Sequence, residues 1–173
     1  PRPIFIAGMA RSGTTLLQGL LAAVPGQRTP LGWELQKPSP APGTRPWSDR
    51  RAVLEARFTF ALLHRAVPDL EAVHPTGALL PQECLVIFAH RFESLFFQGT
   101  YRIPSYRRWL NTRDPRDRYL EHRNFLRHLG AVGEPKRWVL KTPAHLEHLD
   151  ALASVYPDAI IVATVSSIYG LGD

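Results

Sequence analysis

FIAGMARSGTTLLQGLL, Phe5 to Leu21, joins an apolar run to a glycine-bearing turn and then to leucines at helical spacing. It reads as a buried strand, a tight turn and an amphipathic helix, the arrangement of a P-loop, and Gly8 and Gly13 keep the spacing of the two P-loop glycines. The first N–H groups of such a helix have no internal partner, and its dipole makes that end partly positive, so the turn can wrap an anion. A nucleoside triphosphatase adds a lysine for the β- and γ-phosphates and a hydroxyl for Mg²⁺. Here Thr14 stands where that lysine is expected, Arg11 lies within the turn, and Ser12, Thr14 and Thr15 supply hydroxyls. No acidic strand end signals a metal ligand. The loop therefore suits a terminal anionic group bound without an obligatory metal.

Outward from the loop, Pro3–Ala7 predicts a central parallel strand and Thr14–Val24 a helix stopped by Pro25 and Gly26. Prolines at 38, 40, 42 and 46 make Gln36–Trp47 an extended loop. Ser48 or Asp49 caps a helix to about Ala66, and a second helix is expected from Pro81 to Phe97. Residues 103–110 read as irregular or briefly helical, and Pro115–Leu129 as a helix closed by Gly130. RWVLKTP, from Arg137, predicts a strand; AHLEHLDALASVY predicts a helix, and AIIVATV a last buried strand. Strands at both ends, each joined to helices, predict an α/β fold with a P-loop-like parallel β-sheet flanked by helices. The long helical middle is an insertion after the first βα unit. No internal repeat is present.

At 173 residues the chain can bury a substantial core. No apolar run approaches the roughly 20 residues that span a bilayer, and a strand signal at the start predicts no secretory leader. Cys84 is the single cysteine, which excludes an internal disulfide and favours a reducing, cytoplasmic compartment. The net charge of +6 comes from 18 arginines and only 3 lysines. Guanidinium forks suit phosphate and sulfate. Their scatter over helices and loops, without a basic stripe bearing aromatics, argues against a nucleic-acid partner.

PIFIAGMARSGTTLLQGLLAA resembles the 5′-phosphosulfate-binding loop of sulfotransferases that use 3′-phosphoadenosine 5′-phosphosulfate (PAPS), especially the bacterial family related to tyrosylprotein sulfotransferases. The resemblance continues through PLGWELQKP, through His74–Leu110 and through RWVLKTPAHLEHLDALASVYPDA, covering Pro3 to Ala159. It implies a sulfotransferase-like domain over 1–159 and an atypical C-terminal strand and tail over 160–173. It also implies sulfuryl transfer from PAPS, as co-substrate and without a metal, to a hydroxyl-bearing small-molecule acceptor. In that reading Arg11, Ser12, Gly13, Thr14 and Thr15 hold the 5′-phosphosulfate, with Arg11 bridging toward the sulfuryl group. Lys141, at a strand end, matches the family lysine that stabilises the transition state.

For the base that deprotonates the acceptor, Glu34 in GWEL is the first candidate by resemblance, Glu83 in LPQEC the second and His90 the third. His145 and His148 lie three apart, a spacing metals can use, but no third ligand accompanies them. Trp33, Trp47, Phe96, Phe97 and Tyr101 are candidates to line an acceptor pocket.

The pattern breaks after YPDA. Ser166 stands where the family has an arginine that grips the 3′-phosphate, and the last residues resemble a segment of the B subunit of the excision-repair nuclease. This implies a C-terminally incomplete or chimeric domain that binds the 3′-phosphate poorly. Two other readings remain at this stage: a P-loop kinase or nucleoside triphosphatase, and a catalytically silent anion-binding remnant.

Overall fold

A computed structural model describes residues 1–9, 12–70 and 75–165. Arg11 and Ser166, both singled out above, lie outside the described residues. The first apolar run is strand β1, Ile4–Gly8, buried along its whole length. Helix α1, Thr14–Ala22, follows the turn, and a two-residue strand β2, Gln27–Arg28, precedes helix α2, Gly32–Gln36. The helical middle comprises α3 (Pro46–Ala66), α4 (Cys84–Ala89), α5 (Phe96–Thr100), α6 (Pro104–Leu110) and α7 (Pro115–Leu129). Strand β3, Arg137–Lys141, leads through a 3₁₀ turn, Pro143–His148, into α8, Leu149–Val155, and strand β4, Ile160–Thr164, comes last.

The four strands are all parallel, in the order β2-β3-β1-β4. β4 pairs along the whole of β1, from Ile4 opposite Ile160 to Gly8 opposite Thr164. On the other side Ile6 pairs with Lys141. The connection out of β1 runs toward β2 and the one out of its neighbour β3 runs the other way, toward β4, so the carboxyl ends of β1 and β3 flank a switch point of the kind where parallel sheets hold ligands.

Strand alternation sends side chains to two cores. Phe5 and Leu140 face a larger cluster with Phe88, Tyr119, Leu126, Leu152 and Tyr156, contributed by α4, α7 and α8. Ile4, Ile6 and Val139 face the opposite way, toward Leu17 and Leu21 of α1. Lys141, two residues beyond Val139 on the same strand, therefore falls on the α1 side.

Three expectations change. The leucines of α1 do not all serve the core: Leu17 and Leu21 pack on the sheet, whereas Leu16 and Leu20 are exposed. Buried instead is Gln18, which donates to the Thr29 hydroxyl at 2.9 Å and the Gln82 carbonyl at 3.3 Å. The helix expected over Pro81–Phe97 divides into α4 and α5. Pro81 bridges to Leu31, and the chain turns back at Phe92, whose φ of 59° is left-handed. Ser94 holds the break by donating to the Leu85 carbonyl and accepting from the Phe96 N–H. Finally, α3 starts at Pro46 rather than at Ser48 or Asp49; a proline suits the first turn because its missing N–H has no partner to lose.

Candidate functional site

The turn after β1 is tightly built. A Cβ on Gly8 would lie 1.9 Å from Thr164 Oγ1 and 2.9 Å from Ser12 Oγ, so only glycine fits between the first and last strands. Ser12 Oγ donates to the Met9 carbonyl at 2.7 Å and lies 2.7 Å from Thr164 Oγ1, tying the turn to the end of β4. Gly13 is the N-cap of α1 in the left-handed region, φ 78°, which spares a side chain the steric cost of that conformation. No side chain caps α1, and no acidic residue stands in its first turn. Its leading N–H groups are thus available to an anion.

Lys141 joins this turn from the next strand. Its side chain is 3% exposed, and Nζ donates to Thr15 Oγ1 at 3.0 Å and to Glu83 Oε1 at 2.5 Å. Glu83 is the N-cap of α4, in extended conformation, so its side chain leaves the helix toward the carboxyl end of β3. The parallel register of β1 and β3 puts a cation beside the turn, and α4 brings a carboxylate to that cation. The loop lysine missing from position 14 has a spatial counterpart 126 residues from Thr15.

Glu34 lies elsewhere. It is 3% exposed; Oε1 accepts from Arg28 at 2.5 Å and Oε2 from the Leu31 N–H at 3.0 Å, closing the start of α2. Burial pushes its carboxyl up, and the Arg28 guanidinium opposes that rise. Arg28 in turn lies over the Trp138 ring, 4.2 Å from its centroid. Among the described residues no contact joins Glu34 to Lys141. His90 Nε2 donates to the Leu35 carbonyl, 2.8 Å away, and the ring packs against Phe125, apart from the turn.

His145 is fully buried, with Nδ1 2.8 Å from the Tyr119 hydroxyl; His122 Nδ1 makes the same contact to Tyr156. Burial holds His122 down to about 3 and His145 well below the ordinary imidazole range. No group of three or more ligating side chains is gathered among the described residues. Burial pushes the Cys84 thiol far up, which leaves it protonated and unreactive.

The candidate acceptor aromatics separate. Phe96 lines a cavity of about 440 Å³ that Glu83 also lines. Trp33 and Trp47 border a different pocket of about 220 Å³ between α2 and α3. Phe97 stacks on Phe92, with centroids 5.3 Å apart, and Tyr101 is exposed. Glu83, the second candidate by sequence, stands at a helix start, where an acid usually serves the dipole. Its tie to Lys141 had no local signal.

Fold and site together describe a parallel α/β protein with a cation and a carboxylate gathered beside an uncapped strand–turn–helix. The Sulfotransferase family profile matches residues 3–165, and the chain belongs to that family. Its structure is similar to that of sulfotransferase STF1 from Mycobacterium tuberculosis H37Rv, with a TM-score of 0.81 and 34% identity over 95% of this chain and 45% of that one. It is also similar to sulfotransferase STF9 from Mycobacterium avium, with a TM-score of 0.78 and 28% identity over 95% of this chain and 42% of that one. The chain thus spans less than half the length of these two proteins. No curated protein matches its sequence. Among the described residues no helix is long and apolar enough to cross a membrane.

Proposed function

We propose that this chain transfers a sulfuryl group from PAPS to the hydroxyl of a small-molecule acceptor at the carboxyl end of β1 and β3. The observation that carries this reading is Lys141 Nζ, bonded at once to Thr15 of the anion-binding turn and to the carboxylate of Glu83. Glu83 is the base: it takes the acceptor's proton as the acceptor oxygen forms its bond to sulfur. The bond between sulfur and the 5′-phosphate oxygen breaks, and its electron pair leaves with adenosine 3′,5′-bisphosphate. Lys141 neutralises the charge that collects on that oxygen, an effect strongest in a site shielded from water.

Ser12, Gly13, Thr14 and Thr15 hold the 5′-phosphosulfate through hydroxyls and N–H groups, with Arg11 reaching the sulfuryl oxygens. The donor set fits such an anion, since α1 is uncapped and free of acids in its first turn. Glu34 supports the site indirectly, by clamping Arg28 and the start of α2. The reading needs no metal.

Transfer of labelled sulfate from PAPS to phenolic and alcoholic acceptors, with and without Mg²⁺, tests this. Wild type is expected to transfer independently of Mg²⁺, and Arg11→Ala to lose the reaction. Transfer untouched by Arg11→Ala, or Mg²⁺-dependent turnover of ATP instead, overturns it. Because Ser166 replaces the family arginine for the 3′-phosphate, calorimetry is expected to show little preference for adenosine 3′,5′-bisphosphate over adenosine 5′-phosphate. A large preference for the bisphosphate removes that part of the reading.

A further inference from the structure

The cavity of about 440 Å³ beside α4 is within the volume range of pockets that take one mid-sized organic molecule. Its wall is largely hydrocarbon: Leu35, Phe60, Leu63, Leu85, Val86 and Phe96 come from α2, α3, α4 and α5. Among the described residues Glu83 is the one charged residue in that lining, and the same carboxylate accepts from Lys141. The base of the proposed reaction thus faces the sulfuryl-handling turn through Lys141 and also forms part of the wall of an apolar chamber.

We infer that this cavity seats the acceptor, and that the acceptor is an uncharged, largely hydrocarbon alcohol or phenol whose hydroxyl meets Glu83. The inference rests on the sulfuryl-transfer reading and names its substrate class. An anionic acceptor is disfavoured because the only charge that the described residues bring to the lining is a carboxylate. A sugar is disfavoured because its many hydroxyls outnumber the polar partners in a lining where Gln36, Thr76, Gln82 and Glu83 stand among leucine, valine and phenylalanine, and burying hydroxyls unpaired is costly. A hydrocarbon body gains by leaving water for the leucine, valine and phenylalanine surface.

Binding of phenol, 4-propylphenol and 4-pentylphenol, with trehalose as the polar comparison, tests this by calorimetry on the whole chain. Adenosine 3′,5′-bisphosphate is titrated in parallel. Affinity is expected to rise about fourfold per added methylene, the value of burying one CH₂ group, and trehalose is expected not to bind. Leu63→Trp, which fills the cavity from α3, is expected to weaken 4-pentylphenol at least tenfold. Leu54→Trp, at an exposed position earlier on α3 that does not line the cavity, is the control and should change nothing. Glu83→Gln should lower the sulfation of 4-pentylphenol by about 10²–10³-fold while its affinity changes far less.

Nucleotide binding that persists while alkylphenols bind no tighter than phenol, or while Leu63→Trp has no effect, overturns the cavity assignment and leaves sulfuryl transfer standing. Alkylphenol binding without any nucleotide binding overturns the transfer reading, and the acceptor role of the cavity with it.

Discussion

Two glutamates in this molecule are each held by a cation at 2.5 Å, yet their surroundings give them different work. Glu34 spends both oxygens on structure, one on Arg28 and the other on the Leu31 N–H. Glu83 meets a lysine that also touches the anion-binding turn, and it lines a chamber large enough for a ligand. A buried carboxylate is therefore not a catalytic signal in itself. What distinguishes the two is whether the partner cation has a second contact in the site and whether an acceptor can approach.

The sharpest way to break this comparison is to neutralise each glutamate separately. Glu83→Gln and Lys141→Met are expected to lower the sulfuryl-transfer rate by about 10²–10³-fold, the usual effect of losing a base or an electrostatic donor. Glu83→Gln also leaves the buried Lys141 ammonium without its carboxylate, so stability falls along with the rate. Glu34→Gln is expected to separate the two effects. It leaves Arg28 partly unpaired and costs about 2 kcal/mol of stability, on the scale of a hydrogen bond to a charged group, while the rate changes only a few-fold. Urea denaturation and initial rates on the three variants check this. If Glu34→Gln abolishes transfer in a fully folded protein and Glu83→Gln does not, the roles of the two carboxylates exchange.

Acid should sharpen the same contrast, because the groups governing low-pH stability lie beneath the site. His122 and His145 are neutral in the fold, with their affinity for protons lowered by burial. The unfolded chain therefore binds more protons below about pH 6.5, and stability falls as pH falls. Each histidine contributes a slope of up to about 1.4 kcal/mol per pH unit, and for His122 the loss continues toward pH 3. Glu34, raised by burial, opposes this by one proton at most, so the net slope between pH 6.5 and 5 remains positive. Denaturation midpoints that are flat over that interval contradict the account.

The smallest effect expected is at Gly13. A Cβ there meets no atom within 4 Å, so Gly13→Ala costs only its left-handed conformation, about 1–2 kcal/mol. Gly8→Ala should cost more, because its Cβ collides with Thr164 and Ser12. Equal melting temperatures for the two variants would mean that the turn yields more than its packing implies.

Much of the fold was legible because it depends on local patterns. β1, α1, α7, β3 and β4 follow from apolar runs, periodicity and the stop signals at Pro25, Gly130 and Pro157. Less legible were β2, only two residues long, and the break between α4 and α5. That break depends on Ser94 reaching back to Leu85 and on Phe92 accepting a left-handed backbone. The hydroxyls of the turn could be listed from the sequence, whereas ranking Glu34 against Glu83 could not be done from spacing, since both sit near helix starts.

By itself, the sequence determined that a strand, an open glycine turn and an uncapped helix begin this chain, and that the turn lacks the usual lysine. These are properties of neighbouring residues, set by side-chain period and backbone freedom. Only the tertiary structure decided which cation and which carboxylate complete the site. Lys141 reaches Thr15 because β3 pairs in parallel with β1, opposite Ile6, and Glu83 reaches Lys141 because α4 packs on that sheet. Contacts that span 58 residues, for Lys141 with Glu83, and 126, for Lys141 with Thr15, depend on register and packing, and neither is recorded in any local stretch.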